Sequence, residues 1–229
     1  MDQIESDALY DERIDVSRAR PLLQGDVFDQ VVLPGFGEET RMVQIVAHPC
    51  AMRTGADLTP RITVAPVEPH ELVKGRGWEG NPRVMPLADL VQGEHFATKF
   101  VDVTACPAEL LTRERRIATL SNQGIYVLQQ RLIKHYTRTQ MALEVLRRES
   151  APVLTEAELL WSWLEEVLTD EEVRDDEELA AETEIFETWM RDGSPSPQQR
   201  LRIEIHHTDV RREAQRAAAG RSQARRAQG

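Results

Sequence analysis

The chain has 229 residues, 41% of them hydrophobic and 29% charged, with a net charge of −11 at pH 7. That is room for one sizeable domain, or for one domain with an appendage. Two cysteines make no disulfide framework, no CxxC pair suggests zinc, no stretch nears the length of an apolar membrane span, and 5% aromatic residues weigh against a large base-stacking surface.

The opening "MDQIESDALYDERIDVSRAR" is acidic and lacks an apolar signal core. It reads as a polar, flexible segment or a short helix, and the default expectation is a cytoplasmic protein with reduced thiols. Regular structure is expected from "VFDQVVL" after Gly25-Asp26, with a turn at Pro34, Gly35 and Gly37. A second strand, "RMVQIVA" over 41–47, stops at His48-Pro49, because proline cannot donate to a ladder. "RITVAPVE" over 61–68 is the third strand. "ELVKGRGWEGNPRVMPLADL", with its glycines and prolines, reads as a long loop. "EHFATKFVDVTAC" over 94–106 alternates as one more strand, and "AELL" follows as a short extension. Short strands at regular spacing suggest a small barrel or a strongly bent sheet.

Helical spacing then takes over at Ile125, Leu128, Leu132 and Tyr136, with Ser121 as N-cap and Gly124 tolerated in the first turn. Beyond Pro152, Thr155 and Glu158 have the spacing of a capping box, and Leu159, Trp163 and Val167 form an apolar stripe. Residues 170–191 read as an acidic helix gripped by Leu179, Ile185, Phe186 and Trp189, and "DGSPSP" reads as a linker. Residues 155–192 hold 15 Asp and Glu against Arg174 and Arg191, whereas residues 197–229 hold 8 Arg against Glu204, Asp209 and Glu213. The Arg/Ala-rich tail is either a solvated helix or disorder, and its charge would let it fold back on the acidic helix. The expected organisation is a flexible N-terminus over 1–20, a β-barrel domain with its closing helix over 21–150, an acidic helical region over 151–192, and a linker with a basic tail over 193–229.

Several positions can carry chemistry. Arg41 opens a strand and is either a phosphate clamp or an exposed cation capping a turn. His48 and Cys50 point the same way on an extended chain, so an activated thiolate competes with a buried structural cysteine; Cys106 reads as core. Glu68, His70 and Glu71 are two carboxylates and an imidazole on a loop edge, suited to acid–base work or simply to a polar loop entry. Arg53, Arg76 and Trp78, and the cluster Arg113, Arg115 and Arg116, are candidate nucleic-acid contacts; the 113–116 cluster could instead pair with the acidic helix. His206-His207 has no companion ligands. No metal and no cofactor are expected.

The pieces "QGDVFDQVVL", "RMVQIVA", "RITVAPVE" and "TRERRIATLSNQGIYVLQQRLIKHY" resemble, in order, the strands and final helix of the MazF/PemK-like small barrels, over roughly residues 20–138. "VAHPCAM" is also similar to an "S-Q-x-C-D" signature of barrel proteins found near bacterial and phage defence genes, with Ala51 in place of the aspartate. The resemblance implies an α+β fold, an SH3-like or PemK-like barrel followed by C-terminal helices. It implies RNA as a ligand, with Arg41 stabilising the phosphorane and His48 or Glu68 as the base that takes the 2′-hydroxyl proton. The family's hydroxyl residue at the end of the third strand falls near Glu68, where no Ser or Thr stands, and its "R-P" is "R-M" here. These departures favour a non-catalytic barrel acting as a binding or accessory protein in a phage- or defence-related setting. The alternative is a metal-independent endoribonuclease toxin cleaving single-stranded RNA, so the question of enzyme activity stays open. The implied partners are a protein docked through residues 155–229 and RNA; a homodimer is allowed, and no membrane contact is expected.

Overall fold

The computed structural model describes residues 6–72 and 81–227. The chain runs through α1 (Ser6–Leu9), β1 (Tyr10–Arg13), β2 (Val27–Val32), β3 (Thr40–Ile45) and the single turn α2 (Pro49–Met52). Two short strands that pair with each other follow, β4 (Arg53–Thr54) and β5 (Asp57–Leu58). Then come β6 (Arg61–Pro69), β7 (Val84–Val91), β8 (Glu94–Lys99), β9 (Thr104–Pro107) and β10 (Arg116–Leu120). The helices are α3 (Asn122–Thr137), α4 (Leu143–Val167), α5 (Asp176–Arg191), α6 (Pro197–Arg200) and α7 (His207–Arg226). The fold is α+β, a curled antiparallel half-barrel sheet followed by C-terminal helices, as the strand and helix patterns predict. Two compact units emerge. The first draws on Met1–Val16, Leu22–Met52 and Leu58–Glu149; the second on Ser17–Pro21, Arg53–Asp57 and Ser150–Gly229.

In the first unit the strand order is β1-β10-β2-β3-β6-β8-β7. β6 is the organising strand. Its first half pairs with β9, from Arg61↔Pro107 to Val64↔Thr104, and its second half with β8, from Val67↔Thr98 to Pro69↔Phe96. Pro66 stands at the switch between these two partners, where a missing N–H is tolerated. One face of the sheet buries Phe28, Val31, Val43, Ile45, Ile62 and Val64 with Cys106 and Leu111. Elsewhere in the unit a buried polar chain ties α3 to the sheet. Gln129 Nε2 donates to Gln24 Oε1 at 2.9 Å, and Gln24 Nε2 to the Val46 carbonyl at 2.8 Å. Thr98 Oγ1 donates to Gln44 Oε1 at 2.7 Å.

The structure refines several expectations for this unit. Of the N-terminal segment, residues 6–9 form the short helix that was one of its two readings, and β1 then pairs with β10, with Leu9 and Tyr10 buried. The expected long loop contains β7, whose Val84, Met85, Leu87 and Leu90 are buried despite Pro86. The strand over 94–106 breaks into β8 and β9 around a turn of 3-10 helix at Phe100–Asp102. The basic run 113–120 ends in β10, between β1 and β2.

Ser121 caps α3, its Oγ accepting the Gly124 N–H at 3.1 Å. Gly124 is more than tolerated: a Cβ there would run into the Leu9 carbonyl oxygen. Ile125 and Leu128 face inward as predicted, but Tyr136 is 62% exposed. The buried group near that end is Arg131, which donates to the Val84 and Asn81 carbonyls; burial lowers its pKa to about 10.

The second unit packs Leu159, Leu160, Trp163 and Leu164 of α4 against Leu179, Phe186 and Met190 of α5 and Val210, Ala214 and Ala218 of α7. Its first helix does not start at Thr155. α4 runs through Pro152, because Leu154, Leu159 and Leu160 are buried along it and that burial outweighs the lost backbone bond. Thr155 is therefore a buried helical residue and not a cap. α5 is capped instead by Asp175, whose carboxylate accepts the Glu177 and Glu178 N–H groups. Ile185 is 36% exposed, and Met190 and Thr183 take the buried positions. The expected break over 192–197 separates α5 from α6, which opens at Pro197 behind a capping box from Ser196 to Gln199. The basic tail is α7, and Arg221 and Arg225 pair with Glu182, Glu172 and Glu178.

These pairs give the unit a pH dependence. A hydrogen bond from the Thr169 N–H and then the Arg225 guanidinium hold Glu172 below its ordinary range, and the Arg200 guanidinium does the same for Glu213. A depressed folded pKa stabilises above the unfolded carboxylate value of about 4.3, and the contribution is lost as pH falls through the folded value. Thermal melts from pH 7 to pH 3 are expected to fall, and Glu172→Gln with Glu213→Gln to flatten the decline. An unchanged slope in the double variant would contradict this.

Candidate functional site

The candidate catalytic residues divide between the two ends of β3. Arg41 stands at its start. The β3–β6 ladder runs to Met42↔Val67, and Arg41 and Glu68 are the next residues along each strand, at the same end of the antiparallel pair. Each also has a local partner. The Arg41 guanidinium lies over the Phe36 ring at 5.4 Å and donates to the Phe36 carbonyl at 3.1 Å. Glu68 lies 3.7 Å from the Lys99 ammonium.

His48 lies seven residues further on, past the other end of β3. At about 3.3 Å per residue the strand itself separates it from Arg41 by well over a hydrogen-bond length. Its Nδ1 accepts the Cys50 N–H at 3.3 Å, and burial pushes the imidazole below its ordinary pKa. A neutral ring is what that bond requires, since Nδ1 must offer a lone pair. The Cys50 thiol is exposed. Cys106 is buried in the sheet core, and burial raises its pKa to about 11, as a core thiol requires. His70 extends the β6–β8 ladder, its N–H donating to the His95 carbonyl at 2.9 Å, and its Nδ1 lies 2.9 Å from the Glu71 carbonyl.

The described cationic candidates each have a local setting of their own. Arg116 is the clearest correction. Its guanidinium is 0% exposed and pairs at 3.0 Å with Asp26, itself 1% exposed, so it is a core cation turned away from any phosphate. Arg115 donates to the Leu110 carbonyl at 3.4 Å, beside Arg113 in a turn of 3-10 helix. Arg53 donates to the Ala56 carbonyl at 3.3 Å and belongs to the second unit. Arg76 and Trp78 lie outside the described residues. Among the described residues, no group of three His, Cys, Asp or Glu is placed to hold a metal, and no helix is long and apolar enough to cross a membrane.

The structure also assembles a cluster that the sequence did not signal. The edge strands β1 and β7 meet where Arg13 donates to the Asp89 carbonyl at 2.6 Å. Arg13 lies 4.9 Å over the Tyr10 ring, and the Tyr10 hydroxyl is buried with no hydrogen-bond partner among the described residues. Burial raises the Tyr10 pKa well above the phenol range. His95 accepts the Asp89 N–H at 3.1 Å. Ile14 and Asp89 both have positive φ, 75° and 52°, a costly backbone for a β-branched residue such as Ile14. No local pattern in "ALYDERI" announces this meeting of edges, because it depends on the curl of the whole sheet.

No family model matches the chain, and no curated protein matches it.

Proposed function

We propose that the first unit is a MazF/PemK-like small barrel without ribonuclease activity, used for binding as an accessory protein in a phage- or defence-related setting. One observation carries this reading: the candidate catalytic groups are divided, with His48 past the far end of β3 from Arg41 and Glu68, and each is held by a neighbour of its own. The setting and the barrel family rest on the resemblance of the strand sequences. The second unit is the docking arm for a protein partner. Residues 155–229 carry 18 acidic against 10 basic side chains, a net −8, so a basic partner surface fits it.

A second reading draws on Arg41 and Glu68 lying at the same end of the β3–β6 pair. In it Glu68 takes the 2′-hydroxyl proton and Arg41 steadies the phosphorane. The test is purified protein incubated with a mixed-sequence RNA in EDTA, beside Arg41→Ala, Glu68→Gln and His48→Ala. The expected result is intact RNA throughout. Cleavage by the wild type that disappears in Arg41→Ala and Glu68→Gln would replace the binding reading with the nuclease.

A further inference from the structure

The C-terminal end of α3 carries a surface that the candidate site leaves out. From Arg115 to Leu143 the chain has no Asp or Glu, although it holds 39 acidic residues against 28 basic. At that end, side chains from three segments meet around the His135 ring. Phe100 lies 5.8 Å from it and Tyr136 4.8 Å, both edge-on. Arg83 is tied to Phe100, its carbonyl accepting the Phe100 N–H at 2.9 Å. Burial, and then the Arg138 and Arg83 charges, lower the His135 pKa, which sets both guanidinium groups near the ring. Arg83 and Arg138 are exposed, and among the described residues neither has an ion-pair partner. Tyr136 is 62% exposed, and Val101, next to Phe100, is 60% exposed. Asp102 is the one acid in the segments that form the patch, 81–88, 100–103 and 115–143.

We infer that this patch binds single-stranded nucleic acid, with Arg83 and Arg138 on backbone phosphates and the Tyr136 ring stacked on a base. A helix end alone accounts for part of the patch, since Lys134 in the last turn of α3 and Arg138 at its C-cap suit the dipole. It does not account for Arg83, which stands on a different segment. Nor does it account for an aromatic ring left open to water beside two guanidinium groups. That combination is what an unstacked strand needs: charge holds the phosphates, and the ring offers a face to any base. A duplex hides its base faces and would leave Tyr136 unused. An acidic peptide would match the charges and not the stacking. The net charge of −11 does not oppose this, because charges more than about 10 Å away are largely screened at ordinary ionic strength. The inference goes beyond the binding reading of the first unit and does not depend on the barrel family.

The test is fluorescence anisotropy of labelled oligothymidine and oligouridine with the full chain in EDTA. Oligothymidine has no 2′-hydroxyl to attack its phosphate, so binding is read apart from cleavage, and a failure here leaves the question of nuclease activity untouched. The expected result is saturable binding that weakens with added salt. Arg83→Gln with Arg138→Asn is expected to weaken it about tenfold or more and to flatten the salt dependence, by ~0.7 in logarithmic slope for each lost phosphate contact. Asparagine suits position 138 because Arg138 has a φ of 62°, a left-handed backbone. Tyr136→Ala is expected to weaken binding about fivefold or more through lost stacking. All three positions are exposed, so the far-UV circular dichroism should not change. Binding by either oligomer that responds to these variants supports the inference, and the tighter one names the sugar. No binding by either overturns it. So does binding indifferent to the arginine pair. So does binding that survives Tyr136→Ala and is displaced equally well by polyglutamate, which would mark a surface for acidic protein.

Discussion

Asp26→Ala is expected to cost about 3–5 kcal/mol, because it strands a buried cation. The Asp26 carboxylate is the 3.0 Å partner of Arg116, and neither side chain reaches solvent. It also accepts the Leu23 N–H at 3.1 Å, so its loss uncaps the turn that leads into β2. The pair joins the start of β2 to β10, which has β1 on its other side. One sheet edge therefore depends on it. Replacing both members with apolar residues, Asp26→Leu with Arg116→Met, is expected to recover most of the loss, since the uncompensated charge and not the missing attraction dominates the single variant. Urea unfolding followed by circular dichroism measures both. A single variant within about 1 kcal/mol of wild type would show that the Arg116 charge has found water, contrary to its burial.

Glu182→Ala is the second large effect, again about 3–5 kcal/mol. Glu182 lies on the acidic helix, yet it is 1% exposed. It accepts the Trp163 indole N–H at 3.0 Å and the Arg221 guanidinium at 3.2 Å, and Arg225 stands 3.8 Å away. Alanine leaves an indole donor without its acceptor and two partly buried guanidinium groups without this carboxylate. Glu182→Gln keeps an acceptor for Trp163 and loses the charge, so its cost should fall between alanine and wild type. Trp161, Trp163 and Trp189 all lie in this unit, so intrinsic fluorescence follows its unfolding. Equal stability for all three proteins would remove Glu182 from the core of the unit.

The elements that could be read from sequence are those whose residues state their own environment. β2, β3 and β6 are rich in Val and Ile and bounded by Gly or Pro. Ser121 announces α3 by its chemistry. β10 was hidden because its first residue is an arginine, and a buried arginine needs an aspartate 90 positions away to make sense. β7 was hidden by the glycines and prolines around it. Local rules end a helix at Pro152, because they see the missing N–H and not the leucines buried along α4. The same limit applies to the site. Arg41 and Glu68 could each be picked out singly, but only the β3–β6 pairing brings them to one end of the sheet's two central strands. His48 looked like their companion because it shares a strand run with Arg41, and the length of that run is what parts them. The Tyr10, Arg13, Asp89 and His95 cluster draws on three strands and has no sequence signature at all.

The second unit is not a continuous stretch of chain. Ala19, 2% exposed, sits among the leucines of α4 and α5, Arg20 covers the Trp161 ring at 4.9 Å, and Arg18 reaches the Val173 carbonyl. During synthesis these residues leave the ribosome well over a hundred positions ahead of the residues they join, 155 for Arg18 and Val173. The helical core therefore waits for nearly the whole chain before it can close, which places its slowest contacts late and makes it a high-contact-order assembly despite its helical content. A gene fragment beginning at residue 150 would encode every long helix of the unit after its first turns and still lack the plug that seals it.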